Sequence, residues 1–488
     1  MRRLVWIALA TVPFACTVGP DYERVELDVP DRFRDATEDQ SLTTPAALSW
    51  FDVYTDPVLQ ALITEALANN TDLLIAAARV AEARAASAIA ESRLFPTADG
   101  NASLRTQGIA RDGFPLFPEP QDRDGGTITL GGFAVWELDL WGRFRRAAEA
   151  SQAQLLASEL DRAAIAQSLV VELSAAYFRL LAADADLAIT RRTIQSRDES
   201  LRLVQARLDR GIASMLEVRQ AEGLLQSAQL LVPQLEAARS REENLIRQLI
   251  GSTPGPVPRG ETLDHQVASL TVPAGLPSEL LERRPDVLAA ESQLAASVAG
   301  IGEAKALLFP QVTLTGVGGV SSQQLSGLFN GSSLFWDAAV EVSIPIFNAG
   351  RLEANVAAAE ARADQATGIY RRTVRTAFRE VADSLITLEK LKTFRRIQEK
   401  QVAVLIDQSR LSNARYRGGV TSYLEVLDSE RQLFEAQRSL VGARLDEVSA
   451  VGVLFRALGG GWTPEEADAA PMPEERAARD ADPTGSAG

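Results

Sequence analysis

The chain has 488 residues, with 50 basic and 65 acidic side chains and a formal net charge of −15. An acidic chain without a basic cluster is a poor candidate for binding nucleic-acid backbones. One Cys and one His exclude an intramolecular disulfide and a zinc site. Because 46% of the residues are apolar, we expect a folded protein, and nothing in the composition indicates a metal or another cofactor.

The N-terminus has the pattern of a secretory signal. A basic start is followed by an apolar run from Leu4 to Ala15, which predicts a signal peptide over residues 1–15. Ala15 directly precedes Cys16, as in bacterial lipoprotein signals, so we expect Cys16 to carry a lipid such as palmitate. The alternative is an ordinary signal peptide with a chance cysteine. Thr17 is not the Asp that resembles an inner-membrane retention signal, which favours the outer membrane.

The chain contains an internal duplication. Asp72 to Pro96 aligns without a gap on Asp286 to Pro310, and the segment from Gly211 aligns on that from Gly419. The predicted organisation is a signal peptide (1–15), a lipidated N-terminal segment with an equatorial region (16–66), a first repeat (67–251), a connector (252–280), a second repeat (281–459) and a disordered acidic tail (460–488).

Each repeat contains two runs of alternating polar and apolar residues, which predict β-hairpins over 97–141 and 311–347. Strands of ten or more residues are long for a globular sheet and suit a bilayer. The charged residues expected on the wet face are Asp99, Arg105, Glu137, Asp139, Asp337 and Glu341. Trp136 and Trp336, taken as equivalent positions, are interpreted as an interfacial aromatic belt.

A very long helix follows each hairpin. Arg143 to Arg210 and Arg351 to Arg417 contain no Pro, and at 1.5 Å per residue each helix reaches roughly 100 Å. Each helix ends at glycine and returns, which predicts helical hairpins over 143–250 and 351–458, with a kink at Pro233. No stretch after residue 16 approaches 18 uncharged apolar residues, so no transmembrane helix is expected.

Four transmembrane strands cannot close a barrel, and an open edge in lipid leaves backbone groups unpaired. Copies of the chain must therefore share strands. Two copies give eight strands and a filled interior, whereas three give twelve and an open bore. The sequence thus predicts an internally duplicated α+β membrane protein whose barrel continues into long helices. Its function is that of a conduit, and the alternative is a non-conducting periplasmic coiled-coil scaffold or adaptor.

Several motifs resemble those of one known family, the TolC-like outer-membrane factors, in the lipoprotein branch of resistance-type drug efflux systems. The motifs are CTVGPDY from Cys16, WELDLWGRFR from Trp136, ERRPDVLAAESQLAA from Glu282 and YRGGVTSYLEVLDSERQLFEAQ from Tyr416. The resemblance implies a homotrimer with a twelve-stranded β-barrel and an α-helical barrel. It also implies a periplasmic adaptor protein and an inner-membrane RND-type pump as partners, and export of drugs or other small molecules.

The resemblance also implies a gate at the periplasmic helical tips. Its matching residues are Glu217 in the first repeat and Tyr416, Glu425 and Asp428 in the second. Thr421 replaces an Arg found in some relatives, and Arg417 is the expected substitute. A hydrogen bond between Tyr416 and Glu217 is expected to hold the tips inward. The alternative is that these are solvated charges on a coiled coil.

No constellation indicates an enzyme. His265 lies in the connector and is interpreted as a solvated loop residue. Glu137 and Asp139 share one strand face without an opposing carboxylate, which does not suit a hydrolase. We therefore expect a non-enzymatic, lipid-anchored protein that extends from the outer membrane into the periplasm.

Overall fold

A computed structural model describes residues 17–27, 49–108, 124–269 and 280–461. Signal peptide 1–15, Cys16 and nearly all of the acidic tail lie outside the described residues. The chain forms two compact units, and matching parts of both repeats contribute to each. The sheet unit comprises Ala81–Ala157 and Glu291–Ile369 with the chain up to Val25. The helical unit comprises Glu26–Val80, Ser158–Ala290 and the chain from Tyr370 onward.

The sheet unit contains one antiparallel sheet of four strands in the order β1-β2-β3-β4. The strands are β1 (Thr97–Gly108), β2 (Asp124–Leu138), β3 (Gln311–Ser322) and β4 (Leu334–Ser343). Two short 3-10 turns, Leu325–Gly327 and Gly331–Ser333, lie between β3 and β4. The register is continuous across all three strand pairs, so each residue pair has its side chains on one face.

The segment that follows Cys16 is held against the sheet unit. Val18 N–H donates to the Trp141 carbonyl at 3.0 Å, and Asp21 lies 2.5 Å from the buried Arg146 guanidinium. A Cβ at Gly302 would lie 2.7 Å from the Val18 carbonyl oxygen, so only glycine permits this approach. This fastening places Thr17 beside Gly142, at the junction between β2 and the following helix.

The helical unit has an aromatic core. Trp50 packs edge-on against Phe455 with ring centroids 4.6 Å apart, and Tyr54 lies against Phe178 at 5.9 Å. Full burial of each such side chain contributes about 1.5–3 kcal/mol to the free energy of unfolding. The short helices here are α1 (Trp50–Val53), α2 (Pro57–Asn69), α7 (Leu263–Ser269) and α8 (Leu280–Arg283).

Asp56 joins distant parts of this core. Its fully buried carboxylate caps α2 by accepting from Val58 N–H at 2.8 Å. It also accepts from the Tyr177 hydroxyl at 3.0 Å and from Gln266 Nε2 at 2.7 Å. A buried carboxylate requires several donors of this kind, so Asp56 ties α2 to the long first helix and to the connector.

The remaining helices are one ahead of each pair of strands, α3 (Thr71–Ser92) and α9 (Pro285–Ala306), and those of the two helical hairpins. The first hairpin contains α4 (Arg143–Asp209), α5 (Met215–Gln229) and α6 (Leu231–Leu249), and the second contains α10 (Arg351–Arg417) and α11 (Tyr423–Ala457). Gly211 and Gly419, with φ of 70° and 74°, make the turns at the two tips. The return helix of the first hairpin is interrupted at Leu230, because Pro233 has no N–H to donate to the carbonyl four residues earlier.

One window of α4 is long and apolar enough to cross a membrane by length and composition. Within that window 56% of the residues are buried inside the protein. Lipid-facing helices expose their apolar side chains, whereas those of α4 pack in the core. The window is therefore that of a core helix.

Candidate functional site

The sheet has one polar and one apolar face. Through the register, Asp99 pairs with Phe133, Phe133 with Val317 and Val317 with Asp337, so both aspartates share one face. Glu137, Thr313 and Glu341 form a second row on that same face. Arg105 pairs with Thr127, again on the same side.

The opposite face carries most of the aliphatic side chains of the strands and both of their tryptophans. Leu104, Trp336 and Val340 are exposed by 74%, 79% and 68% in the single chain. Isolated exposed apolar residues are normal, but a whole sheet face of them requires an apolar environment. The sheet therefore separates an apolar side from a polar side.

Two expectations about this sheet are corrected. Asp139 lies beyond β2, which ends at Leu138, and its carboxylate accepts from Phe144 N–H at 3.1 Å and Arg145 N–H at 3.0 Å. Asp139 thus caps α4, where a negative charge meets the unpaired N–H groups and the helix dipole. The tryptophans are not at equivalent positions, because Trp136 pairs with Leu314 and Trp336 with Gly318.

Glu137 and Trp136 also have local partners. The Glu137 carboxylate lies 2.6 Å from the Arg143 guanidinium, with both side chains about a quarter exposed (24% and 23%). Trp136 Nε1 donates to the Leu94 carbonyl at 3.1 Å. These contacts join the end of β2 to the start of α4 and to the segment that follows α3. Neither was predicted, because each depends on the path of the chain beyond the strand.

The side chains at the tip of the first hairpin bond to the start of their own helix. Ser214 and Glu217 form a capping box at the start of α5, in which Glu217 N–H donates to Ser214 Oγ at 3.3 Å and Ser214 N–H donates to Glu217 Oε2 at 3.4 Å. This pattern satisfies two of the four free N–H groups at a helix start. Glu217 therefore has a structural role whatever else it does.

The tip of the second hairpin is arranged differently. Ser422 precedes α11 without a side-chain capping bond. Glu425 instead accepts from the Thr421 hydroxyl and lies 3.4 Å from Arg415. Asp428 lies 3.1 Å from Arg431 and accepts from Gln432 at 2.6 Å. Arg417 is exposed and has no ion pair among the described residues, so Thr421 and Arg415 hold Glu425 in place of the expected Arg417.

Tyr416 lies inside the tip. Its ring is under the Arg207 guanidinium at 4.5 Å and beside Tyr423 at 5.2 Å. The expected hydrogen bond to Glu217 is absent from the described chain, where the buried Tyr416 hydroxyl has no partner. Burial and then the negative charge of Glu217 raise the pKa of Tyr416, so Glu217 lies near the hydroxyl without accepting from it.

Arg207 is a tip residue that the sequence interpretation missed. Besides its ring contact, it donates to the Tyr416 carbonyl at 3.1 Å and so joins α4 to the end of α10. The duplication contains a signal for it, because Arg207 aligns with Arg415, the partner of Glu425. An arginine at the same place in both repeats was not singled out.

The comparisons with known proteins agree with this architecture. The profile of the Outer membrane efflux protein family matches residues 62–252 and 276–460. The chain is 35% identical over 464 residues to the solvent efflux pump outer membrane protein SrpC of Pseudomonas putida, covering 92% of this chain and 96% of SrpC. It is 34% identical over 471 residues to the cation efflux system protein CusC of Escherichia coli O6:H1, covering 94% of this chain and 99% of CusC.

A solved structure shows the same fold. The open state of the Neisseria gonorrhoeae MtrE outer membrane channel superposes with a TM-score of 0.82 at 32% identity, covering 91% of this chain and 98% of MtrE. The expected fold class is confirmed as that of the trimeric channels, in which three copies of four strands make the barrel. The family is one of transport and not of catalysis, and the scaffold alternative is not favoured. The chain belongs to the outer membrane efflux protein family and is the outer-membrane channel of an efflux pump.

Proposed function

We propose that three copies of the chain enclose a passive exit duct, which is gated at its periplasmic helical tips and works in a tripartite pump. The observation that carries this proposal is the division of the sheet into a polar and an apolar face. A closed barrel of such strands turns its apolar face to lipid and its polar face to water. Passive passage along a continuous water path requires no catalytic group in the protein.

In this proposal the polar face lines the pore. The lumen residues are Asp99, Arg105, Glu137, Asp337 and Glu341; Asp139 is left out because it caps α4. Trp136 and Trp336 lie on the lipid side at different heights. Four carboxylates against one guanidinium make this wall acidic, which attracts cations more than anions.

We place the gate at the second-repeat tip. Glu425 and Asp428 are exposed and three residues apart on α11, so they share one helix face. Threefold symmetry brings their copies together, and crowded carboxylates at a pore mouth act on passing ions. Tyr416 is buried inside the same tip, Glu217 lies near its hydroxyl from the first-repeat tip, and Arg417 is exposed at the end of α10.

Conductance measurements in planar bilayers test the gate. The wild-type trimer is expected to insert in discrete, low-conductance steps. Glu425→Ala combined with Asp428→Ala is expected to raise the step size by about twofold or more. The substitutions remove both the charged side chains that crowd the pore mouth and their ion pairs with Arg415 and Arg431. Glu222→Ala, which removes a first-hairpin carboxylate paired with Arg219, is the matched control. A silent bilayer with an intact trimer contradicts the proposal.

The two tips offer a surface for the adaptor. Ile212 and Leu216 in the first tip align with Val420 and Leu424 in the second, and all four are between 63% and 68% exposed. Repeated exposed aliphatic pairs indicate an interaction site. We propose that they contact the periplasmic adaptor, which links the channel to an inner-membrane pump of the RND type.

Replacement of these side chains separates docking from conduction. Val420→Asp with Leu424→Asp is expected to leave bilayer conductance within about twofold of wild type, while cross-linking to the adaptor falls by about tenfold. Val453→Asp, an exposed aliphatic position far along α11, is the control. Undiminished cross-linking excludes the tips as the adaptor site.

We also propose that Cys16 is acylated. The support is the Ala15-Cys16 pair in the sequence together with the fastening of Thr17 and Val18 at the junction of β2 and α4. That junction lies at one end of the proposed membrane strands, which suits a lipid anchor in the inner leaflet of the outer membrane. Labelling cells with radioactive palmitate tests it: wild type is expected to incorporate label and Cys16→Ser none. An unlabelled wild-type protein excludes the anchor.

A further inference from the structure

The polar face of the sheet carries an apolar patch. Most side chains on that face are polar, and the large apolar exceptions are Phe133, Val135, Val317 and Phe335. Phe133 and Val317 are paired across β2 and β3, and they are 40% and 41% exposed. Single apolar side chains that face water are normal, whereas a group of them indicates a binding surface. The proposed duct turns this face to water, so the patch requires an explanation.

The ring of Phe335 reaches across the sheet toward Phe133. Phe335 on β4 is paired with Gly319 on β3, which in turn is paired with Gly131 on β2. A Cβ built on Gly131 would lie 3.5 Å from Cζ of the Phe335 ring. Because neither glycine has a side chain, the ring extends over both and reaches the strand that carries Phe133. Phe133, Val317 and Phe335 are therefore neighbours on one surface.

Two carboxylates flank this patch. Phe133 is paired with Asp99 on β1, and Val317 is paired with Asp337 on β4, so an exposed carboxylate lies on either side of the apolar pair. Arg105 is the one cation among the described strand residues, and it lies six residues along β1 from Asp99, about 20 Å away. Salt screens a charge at that distance. The two aspartates are therefore not neutralised by a cation of the sheet.

We propose that Phe133, Phe335, Asp99 and Asp337 form a binding site for amphiphilic organic cations, such as quaternary ammonium compounds that carry an aromatic ring. The site rests on the proposed duct, because the polar face must line the lumen for a passing molecule to reach it, and it adds a substrate class. A ligand ring packed on the phenylalanines leaves water, and its cationic group is attracted to their faces. The positive charge also complements the two aspartates, which disfavour an anion of the same shape.

The geometry suits weak binding. The site is an open sheet face with half-exposed side chains, so a bound cation keeps part of its contact with water. A pore requires binding that is favourable enough to admit a solute and weak enough to release it. Threefold symmetry places three copies of the site at one level of the lumen. We therefore expect the site to slow and select passing cations without retaining them.

Saturation-transfer NMR tests the site with the full-length trimer in phosphatidylcholine nanodiscs and with empty nanodiscs as the blank. The probe is benzyltrimethylammonium, which is permanently charged and soluble in water. Tetramethylammonium has the charge without the ring, and benzenesulfonate has the ring with the opposite charge. We expect benzyltrimethylammonium to bind about threefold or more tightly than either of them. Equal binding of benzyltrimethylammonium and benzenesulfonate, or no binding of benzyltrimethylammonium, overturns the site.

Two neighbouring residues of β4 provide a matched pair for the ring. Phe335→Leu keeps an apolar side chain on the polar face and loses the ring, so the affinity for benzyltrimethylammonium is expected to fall by about threefold or more. Trp336→Leu removes a ring from the opposite face and is expected to leave the affinity unchanged. Size-exclusion chromatography establishes that both variants remain trimers. An unchanged affinity in Phe335→Leu, or equal losses in the two variants, contradicts the assignment.

A second pair tests the charge. Asp337→Asn keeps the shape of the side chain beside Val317, and the affinity is expected to fall by about twofold to fivefold. Glu341→Gln removes the same charge from the same face of β4, about 14 Å away, and is expected to lower the affinity less because salt screens its charge. Equal losses would mean that the general acidity of the wall attracts the cation, which overturns the site.

Failure of the site and failure of the duct are distinguishable. A trimer that conducts in planar bilayers without binding benzyltrimethylammonium overturns the site alone. A trimer that never conducts overturns the proposed duct instead.

Discussion

The two helical hairpins align in sequence but differ at their tips and in their return helices. In the first, Ser214 and Glu217 cap the returning helix, and that helix is interrupted at Leu230. In the second, α11 is continuous and its equivalent carboxylate, Glu425, is bound to Thr421 and Arg415 rather than to its own helix start. Both repeats thus keep the hairpin of two long helical arms, while single side chains give the equivalent carboxylates different partners.

A second pair of positions shows the same divergence. Asn70 at the start of α3 donates to the Leu249 carbonyl at the end of α6. At the aligned place in the second repeat, Arg284 donates to the Ala457 carbonyl at the end of α11. Arg284 also contacts Asp286 at 2.8 Å and Glu380. The same helix end is held by a neutral amide in one repeat and, in the other, by a buried arginine that pairs with two partly exposed carboxylates.

The largest expected effect is the loss of stability on replacing Arg284, compared with that on replacing Asn70. Arg284→Met leaves two partly exposed carboxylates and the Ala457 carbonyl without their donor, and we expect the free energy of unfolding to fall by about 2–3 kcal/mol. Asn70→Ala removes a neutral contact and the bonds that Asn70 Oδ1 accepts from Asp72 N–H and Leu73 N–H, and it is expected to lower the free energy of unfolding by about 1–2 kcal/mol. Thermal unfolding of the detergent-solubilised trimer measures both. Equal effects would mean that the ion network adds nothing to the amide contact.

The interrupted helix provides the next prediction. Pro233→Ala restores a backbone donor and removes the ring clash, so we expect α5 and α6 to join as α11 does, with a gain of about 1 kcal/mol in stability. The melting temperature and the helical circular dichroism signal are both expected to rise. Gln234→Ala, next to it on the exposed surface, is the control. A lower melting temperature would show that the core requires the kink.

The two tip glutamates are expected to respond in opposite ways. Glu217→Ala removes half of a capping box and is expected to lower stability by about 0.5–1 kcal/mol, with a smaller change in conductance than Glu425→Ala. Glu425→Ala breaks an exposed pair, so its stability is expected to stay within about 0.5 kcal/mol of wild type while conductance rises. Melting temperatures and bilayer conductance of both variants test this difference. If Glu217→Ala raises the conductance more than Glu425→Ala does, the gate belongs to the first tip.

The smallest effect concerns the hydroxyl that holds Glu425. Thr421→Ala is expected to change stability by less than about 0.5 kcal/mol and to raise conductance less than Glu425→Ala does, because Arg415 still attracts the carboxylate. Ala213→Thr places the same hydroxyl at the aligned position of the first tip and serves as the control. A conductance in Thr421→Ala above that of Glu425→Ala would contradict this order.

Local periodicity predicted most of the elements. The alternation in 97–107 became β1, and the Pro-free run from Arg351 to Arg417 became α10 with those same ends. The gate candidates came from motif resemblance, and the structure gives Tyr416 different neighbours from those expected. Its ring contacts Arg207 and Tyr423, and its hydroxyl does not donate to Glu217. A hydrogen bond between helices depends on side-chain directions that a motif does not contain.

The amino-acid sequence by itself determined the duplication, the strands with one wet face and the long helices, because each follows from residue spacing along a short stretch of chain. Only the tertiary structure decided which polar groups are buried and with whom. It made Asp139 a helix cap, joined Asp56 to the Tyr177 hydroxyl, and bonded Arg197 of α4 to the Leu224 carbonyl of α5. These partners come together only after folding, and burial then requires each polar group to find a donor or acceptor that is distant in sequence.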